Sequence, residues 1–229
     1  MIFLFSYLLF ELIAALSGSY YVKKYREDTA SRYFVYFLWF TFLIEFFGTL
    51  PGLIYYADMF PSLKGTFLEK NHWLQNIYLI INFSFYVLYL SYHYKTYKFK
   101  FFMRTLVSLF VTGAILNLIF SNVYFNAIAS FTYIIGTVLI LIGGFLYLYE
   151  MLQSDKILTF YKTISFYITI GAMGFHLIAT PIFIYSRFYS QESPDFINIR
   201  MIILNTAIFF LYTCYTIGFI VCLKKNKSY

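Results

Sequence analysis

Runs of about 20 apolar residues, separated by short polar stretches, recur along the chain. Seven can be drawn, at 2–22, 33–56, 73–94, 101–120, 127–150, 163–186 and 201–223. A run of that length crosses the hydrocarbon core of a bilayer as an α-helix, because helical hydrogen bonding satisfies every backbone group within the segment. The pattern predicts an all-α, polytopic integral membrane protein: a seven-transmembrane helix bundle forming a single domain over 1–229. The fourth run is the weakest, and its start can slide by several residues. The first run has neither a basic flank nor a small-residue cleavage site, so it reads as a span rather than a removed signal peptide. The two longest loops on one side, 57–72 and 187–200, hold Pro61, Pro194 and a few charges. Neither is long enough to fold alone, which places the function inside the bundle or with a partner.

Charge gives the orientation. Lys23, Lys24, Arg26, Arg32, Lys95, Lys98, Lys100, Arg104, Lys156, Lys162, Lys224, Lys225 and Lys227 fall on one side of the predicted membrane, and Lys64, Lys70, Arg187 and Arg200 on the other. Basic residues accumulate in cytoplasmic loops. The N-terminus is therefore expected outside and the C-terminus in the cytoplasm, in the inner (cytoplasmic) membrane of a cell.

Composition strengthens this picture. Of 229 residues, 61% are hydrophobic and 12% charged, with a mean hydropathy of +0.71. A soluble domain carries about twice that charged fraction. A water-soluble enzyme, a nucleic-acid-binding domain and a disordered chain are excluded. The net charge of +7 is spread over short loops rather than gathered on a folded face, so no direct nucleic-acid partner is expected. Cys214 and Cys222 lie on one predicted helix, roughly 12 Å apart at 1.5 Å per residue, too far for a disulfide.

An internal match runs across the chain. At an offset of 130 residues, Pro51 meets Pro181, Arg32 meets Lys162 and Tyr55 meets Tyr185. At an offset of 129, Asn76 meets Asn205, Tyr86 meets Tyr215 and Lys95 meets Lys224. The pairing reads as a 3+1+3 parallel duplication, with repeats 1–96 and 127–225 and a linker helix at 101–120. Chance is the alternative, since Tyr is abundant and topology alone puts basic residues at span ends. Proline removes a backbone donor and loosens a membrane helix. Pro51 and Pro181 thus read either as a hinge or as packing kinks.

Ionisable groups inside a membrane are costly and usually face the bundle interior. Glu11, Glu45 and His176 fall near the centres of the first, second and sixth runs, and Asn82 at the same depth in the third. Glu11 shares a helical face with Ala14, Ala15 and Gly18. Glu45 shares one with Thr41, Gly48, Thr49 and Gly52, and His176 with Ala172, Ala179 and Thr180. Small and hydroxyl residues at this spacing mark helix–helix contact faces. Three readings follow: a structural polar knot with a carboxyl hydrogen-bonded to the other or to His176, a ligand-, proton- or cation-binding site, and a metal site of two Glu and one His. The local ligand spacing typical of metal sites does not occur, so neither metal nor cofactor is expected. Glu150, His72 and His93 are expected at the interfaces, the two histidines solvated.

Motifs for known membrane chemistry are missing. The last run has no internal Lys for a retinal Schiff base. Three scattered histidines do not make a hydroxylase or desaturase, and no Asp lies in a span for an aspartyl protease. Ser108 lacks the glycine context of a rhomboid nucleophile, no R-x(4–6)-H nuclease pair occurs, and there is no Gly-rich phosphate loop. A non-enzymatic role is expected.

The stretch Tyr149-Glu150-Met151-Leu152-Gln153-Ser154-Asp155-Lys156-Ile157-Leu158 resembles a segment of small seven-helix membrane proteins of Bacteroidetes-type bacteria. So does the pattern of Asn205, Tyr212, Tyr215 and Gly218 in the last run. Such regions are similar to the membrane halves of sensor kinases. The resemblance covers the C-terminal third and carries no catalytic residues. It implies a sensor or signalling component, and because this chain has no kinase output domain, a cytoplasmic partner must supply the output. In size, composition and apparent lineage the chain is also similar to membrane accessory proteins of type VI CRISPR loci, which implies a defence role. The duplication and paired prolines suggest instead a small-solute or proton transporter or channel.

Overall fold

The computed structural model describes residues 2–56, 60–66, 68–185 and 194–225. Arg187 and Lys227, used for the orientation, lie outside them. Every regular element among the described residues is helical. These are α1 (Ile2–Lys24), α2 (Thr29–Gly48), α3 (Leu50–Tyr56), α4 (His72–His93), α5 (Tyr97–Phe120), α6 (Val123–Asn126), α7 (Ser130–Leu152), α8 (Ile164–Tyr185) and α9 (Pro194–Lys225), with short 3-10 turns between some of them.

Six helical stretches among the described residues are long and apolar enough to cross a membrane: Thr29–Ile54, His72–His93, Tyr97–Phe120, Ser130–Leu152, Ile164–Ile184 and Asn198–Lys224. The protein is thus a multi-pass membrane protein. α1 is not among the six.

The helices form a ring in the order α1, α2, α4, α7, α8, α9, with α9 closing against α1. α5 packs outside the ring, against α4 and α7. Outward faces carry exposed Leu109, Ile119, Phe145 and Leu177, as a lipid-facing surface requires. Glycine lets the helices approach closely. A Cβ on Gly136 would lie 2.3 Å from the Phe83 ring, and one on Gly144 would lie 2.3 Å from Met173 Sδ.

The basic element ends gather at one end of the ring. There Cys222 Sγ donates to the Lys162 carbonyl (3.3 Å) and Tyr89 to Ser165 Oγ (3.4 Å). Glu150 receives the Lys95 and Thr96 backbone N–H groups at 2.8 and 2.9 Å. A carboxylate on orphan amides at a helix start is favourable. It explains why α5 begins at Tyr97, four residues before the apolar run at 101–120. His93, expected to be solvated, is half-buried, with its ring 4.7 Å from that of Tyr89.

At the opposite end, the second run is interrupted at a single residue, Thr49, which keeps right-handed helical dihedrals. α2 stops at Gly48, Thr49 caps it with its hydroxyl on the Phe46 carbonyl (2.7 Å), and α3 begins at Leu50. The physical reason is Pro51, which has no N–H to donate back to the Phe47 carbonyl one turn earlier. Asn71 Nδ2 takes up the Gly48 carbonyl at 2.9 Å. Pro181, by contrast, lies inside a continuous α8.

The paired asparagines serve different ends. Asn76, fully buried, donates Nδ2 to the carbonyls of Tyr124 (3.1 Å) and Ala127 (2.9 Å) and accepts the Ala129 N–H (2.8 Å), pinning the α5–α7 connection. Asn205 bonds the Met201 carbonyl of its own helix at 2.9 Å.

Candidate functional site

Glu11, Glu45, Asn82 and His176 line one cavity of about 200 Å³ inside the ring. The sequence placed all four at one depth, and the structure brings them together from α1, α2, α4 and α8. Glu45 sits less centrally than expected. It lies in the last turn of α2, roughly 5 Å from the middle of Thr29–Ile54 at 1.5 Å per residue. This shifts the cavity towards the end that carries the helix break.

Small residues set the positions. Glu11 is fully buried, and Ala14 and Ala15 on its face are also fully buried. Below them, a Cβ on Gly18 would meet Val35 at 2.7 Å and Phe219 at 2.9 Å, so α1 seats tightly between α2 and α9. His176 is 2% exposed, between Ala172 and Ala179, with Phe83 and Phe175 rings 5.0 Å away. Gly48 leaves room for a polar group of side chains. A Cβ there would lie 3.2 Å from Gln75 Nε2, 3.6 Å from Asn71 Nδ2 and 3.7 Å from Glu45 Oε2.

The hydrogen bonds differ from a Glu–Glu or Glu–His knot. Glu11 Oε1 accepts from the Tyr212 hydroxyl at 2.8 Å. Its other oxygen, Oε2, is buried without a partner, as are His176 Nδ1 and the Tyr133 hydroxyl. All three residues line the cavity. The Tyr78 hydroxyl lies 3.2 Å from Thr41 Oγ1 and 3.4 Å from Asn82 Oδ1. Tyr86 and Tyr215 hydroxyls meet at 2.7 Å in the core. Buried polar groups are almost always paired, and three of the residues that line this cavity each carry an atom that is not.

The metal reading finds no support in the donor set. Among the described residues, no three His, Cys, Asp or Glu side chains come close enough to hold an ion.

Tyr7, Gln75, Tyr78, Tyr133 and Tyr212 also line the cavity and were not singled out from the sequence as site residues. With 25 tyrosines in the chain, no tyrosine stands out by type. Gln75 carried a usable signal, as an amide close to Asn76 in an otherwise apolar run.

Comparison with known protein families, curated proteins and solved structures returns no match.

Proposed function

We propose that the chain is a seven-helix protein of the cytoplasmic membrane that recognises a small ligand inside its bundle and signals occupancy to a cytoplasmic partner. In this reading α1 is a seventh span. Its 23 residues reach about 34 Å at 1.5 Å per residue, enough for the hydrocarbon core. The gathering of basic element ends at one end of the ring favours an outside N-terminus and a cytoplasmic C-terminus. That basic end suits an acidic partner or anionic lipid.

One observation carries the ligand reading: a cavity within the ring lined by Glu11, His176 and Tyr133, whose Oε2, Nδ1 and hydroxyl have no partners. Convergent polar groups in an otherwise apolar pocket are the usual form of a small-molecule site. Native mass spectrometry of the protein, gently extracted from its own cell, tests the proposal. A bound small molecule and a stoichiometric soluble partner are expected. Ile208→Trp, which fills the cavity from its apolar wall, should lose the small molecule. A protein that carries neither refutes the proposal.

A transporter is the second reading. It is favoured by the helix break at Thr49, next to Glu45 and Gln75, since broken helices flank the sites of many transporters. The 129- and 130-residue matches that read as a duplication agree with it. Tyr86 and Tyr215, matched at the 129-residue offset, meet directly, as residues near a pseudo-two-fold axis do. In proteoliposomes this reading predicts pH-dependent flux that Glu45→Gln abolishes. An absence of flux under any imposed gradient counts against it.

A further inference from the structure

We infer that the cavity takes a small primary ammonium compound, with its charged head at Glu11 and Glu45 and a hydrogen-bonding group at its other end; this rests on the ligand reading above. Charge comes first. The lining holds two carboxylate side chains and neither lysine nor arginine. Two carboxylates repel an anionic ligand, and a buried carboxylate left unpaired is strongly unfavourable. An ammonium group brings three N–H donors. Glu11 has an acceptor for one, because Tyr212 occupies Oε1 alone and Oε2 has no partner.

The walls favour a cation as well. Tyr7, Tyr78, Tyr86, Tyr212 and Phe175 surround the space, and aromatic faces attract ammonium groups. The unpartnered His176 Nδ1 and Tyr133 hydroxyl supply a second polar contact. Their rings lie 6.0 Å apart, so they form one wall.

Volume limits the size. A cavity of about 150 Å³ accommodates benzene. The 200 Å³ here suits a compound of about six to ten non-hydrogen atoms. The chemistry required is therefore an ammonium group on a short, partly apolar body that ends in a hydroxyl or similar group.

The test uses the full chain in lipid nanodiscs and three probes of matched shape: 4-hydroxybenzylamine, 4-hydroxybenzyl alcohol and 4-hydroxybenzoate. Affinities are read by isothermal titration calorimetry and by the shift in thermal unfolding. The amine is expected to bind at least tenfold more tightly than the alcohol, and the benzoate least. Glu11→Gln and Glu45→Gln should each weaken the amine tenfold or more and leave the alcohol unchanged. Glu45 is only half-buried, so its variant gives a result even where Glu11→Gln does not fold. If amine and alcohol bind equally, the ammonium assignment is wrong and the cavity remains a ligand site. If none of the three binds, while Ile208→Trp leaves the native mass spectrum unchanged, both the assignment and the ligand reading fall.

Discussion

Asn76 offers a sharp test of how the α5–α7 connection is held. Asn76→Ala removes the acceptor of the Ala129 N–H (2.8 Å) and the donor to the Ala127 carbonyl (2.9 Å), along with a longer bond to Tyr124. Asn76 is fully buried and Ala129 is 1% exposed, so water does not replace the lost partner. Each buried group left unpaired costs about 1–3 kcal/mol. Side-chain bonds between membrane helices average only about 0.6 kcal/mol, because the unfolded chain in lipid finds other partners. Two stranded backbone groups therefore place the loss at about 2–4 kcal/mol. The assay is reversible unfolding in mixed micelles, with Asn205→Ala measured alongside. Among the described residues Asn205 bonds the Met201 carbonyl of its own helix, and its loss should cost under about 0.5 kcal/mol. Amide exchange at Ala129 should rise in the first variant alone. Equal losses at the two positions would refute the reasoning, since they would make the asparagines equivalent by repeat position rather than distinct by environment.

Three further outcomes are expected. Glu150→Ala should destabilise the start of α5 by about 1 kcal/mol, as loss of a helix cap does, and speed hydrogen exchange at Lys95 and Thr96; unchanged exchange would show that other groups hold these amides. Gly136→Ala drives a methyl into the buried Phe83 ring and should cost about 1–3 kcal/mol. Gly113→Ala, whose nearest neighbour would be Phe131 at 3.9 Å, should be neutral or better; thermal unfolding separates the two. Tyr86→Phe and Tyr215→Phe should be non-additive by about 0.5 kcal/mol or more, read from a double-mutant cycle, and additive losses would mean that their 2.7 Å contact carries no energy.

Much of the fold is legible because hydrophobic length is a strong signal in lipid. The helix ends at His93, Leu152 and Lys225 fall within two residues of the ends of the apolar runs. The α2–α3 break was less visible. Pro51 announced a disturbance, but the interruption falls two residues earlier, at Thr49, where the Thr49 hydroxyl and Asn71 take up backbone carbonyls. The site was legible in part. Glu11, Glu45, Asn82 and His176 stood out because polar residues are rare in membrane spans, and all four line the cavity. Their partners were hidden. Nothing local links Glu11 to Tyr212, since the two are joined only by ring closure. Tyrosine, being both apolar and polar, gives no contrast against an aromatic background.

That closure has a consequence for synthesis. α9 completes the ring by packing on α1, and it brings Tyr212 to Glu11, 201 residues away. A chain emerging into the membrane thus holds the Glu11 carboxyl without its tyrosine while α2 through α8 are made. The cavity gains its α9 wall only when the last helix arrives. Domains commonly fold as they are synthesised, but here the interior is assembled last. Nascent chains arrested before α9 should contain the five membrane-length helices that precede it among the described residues, and a cavity that still lacks its last wall.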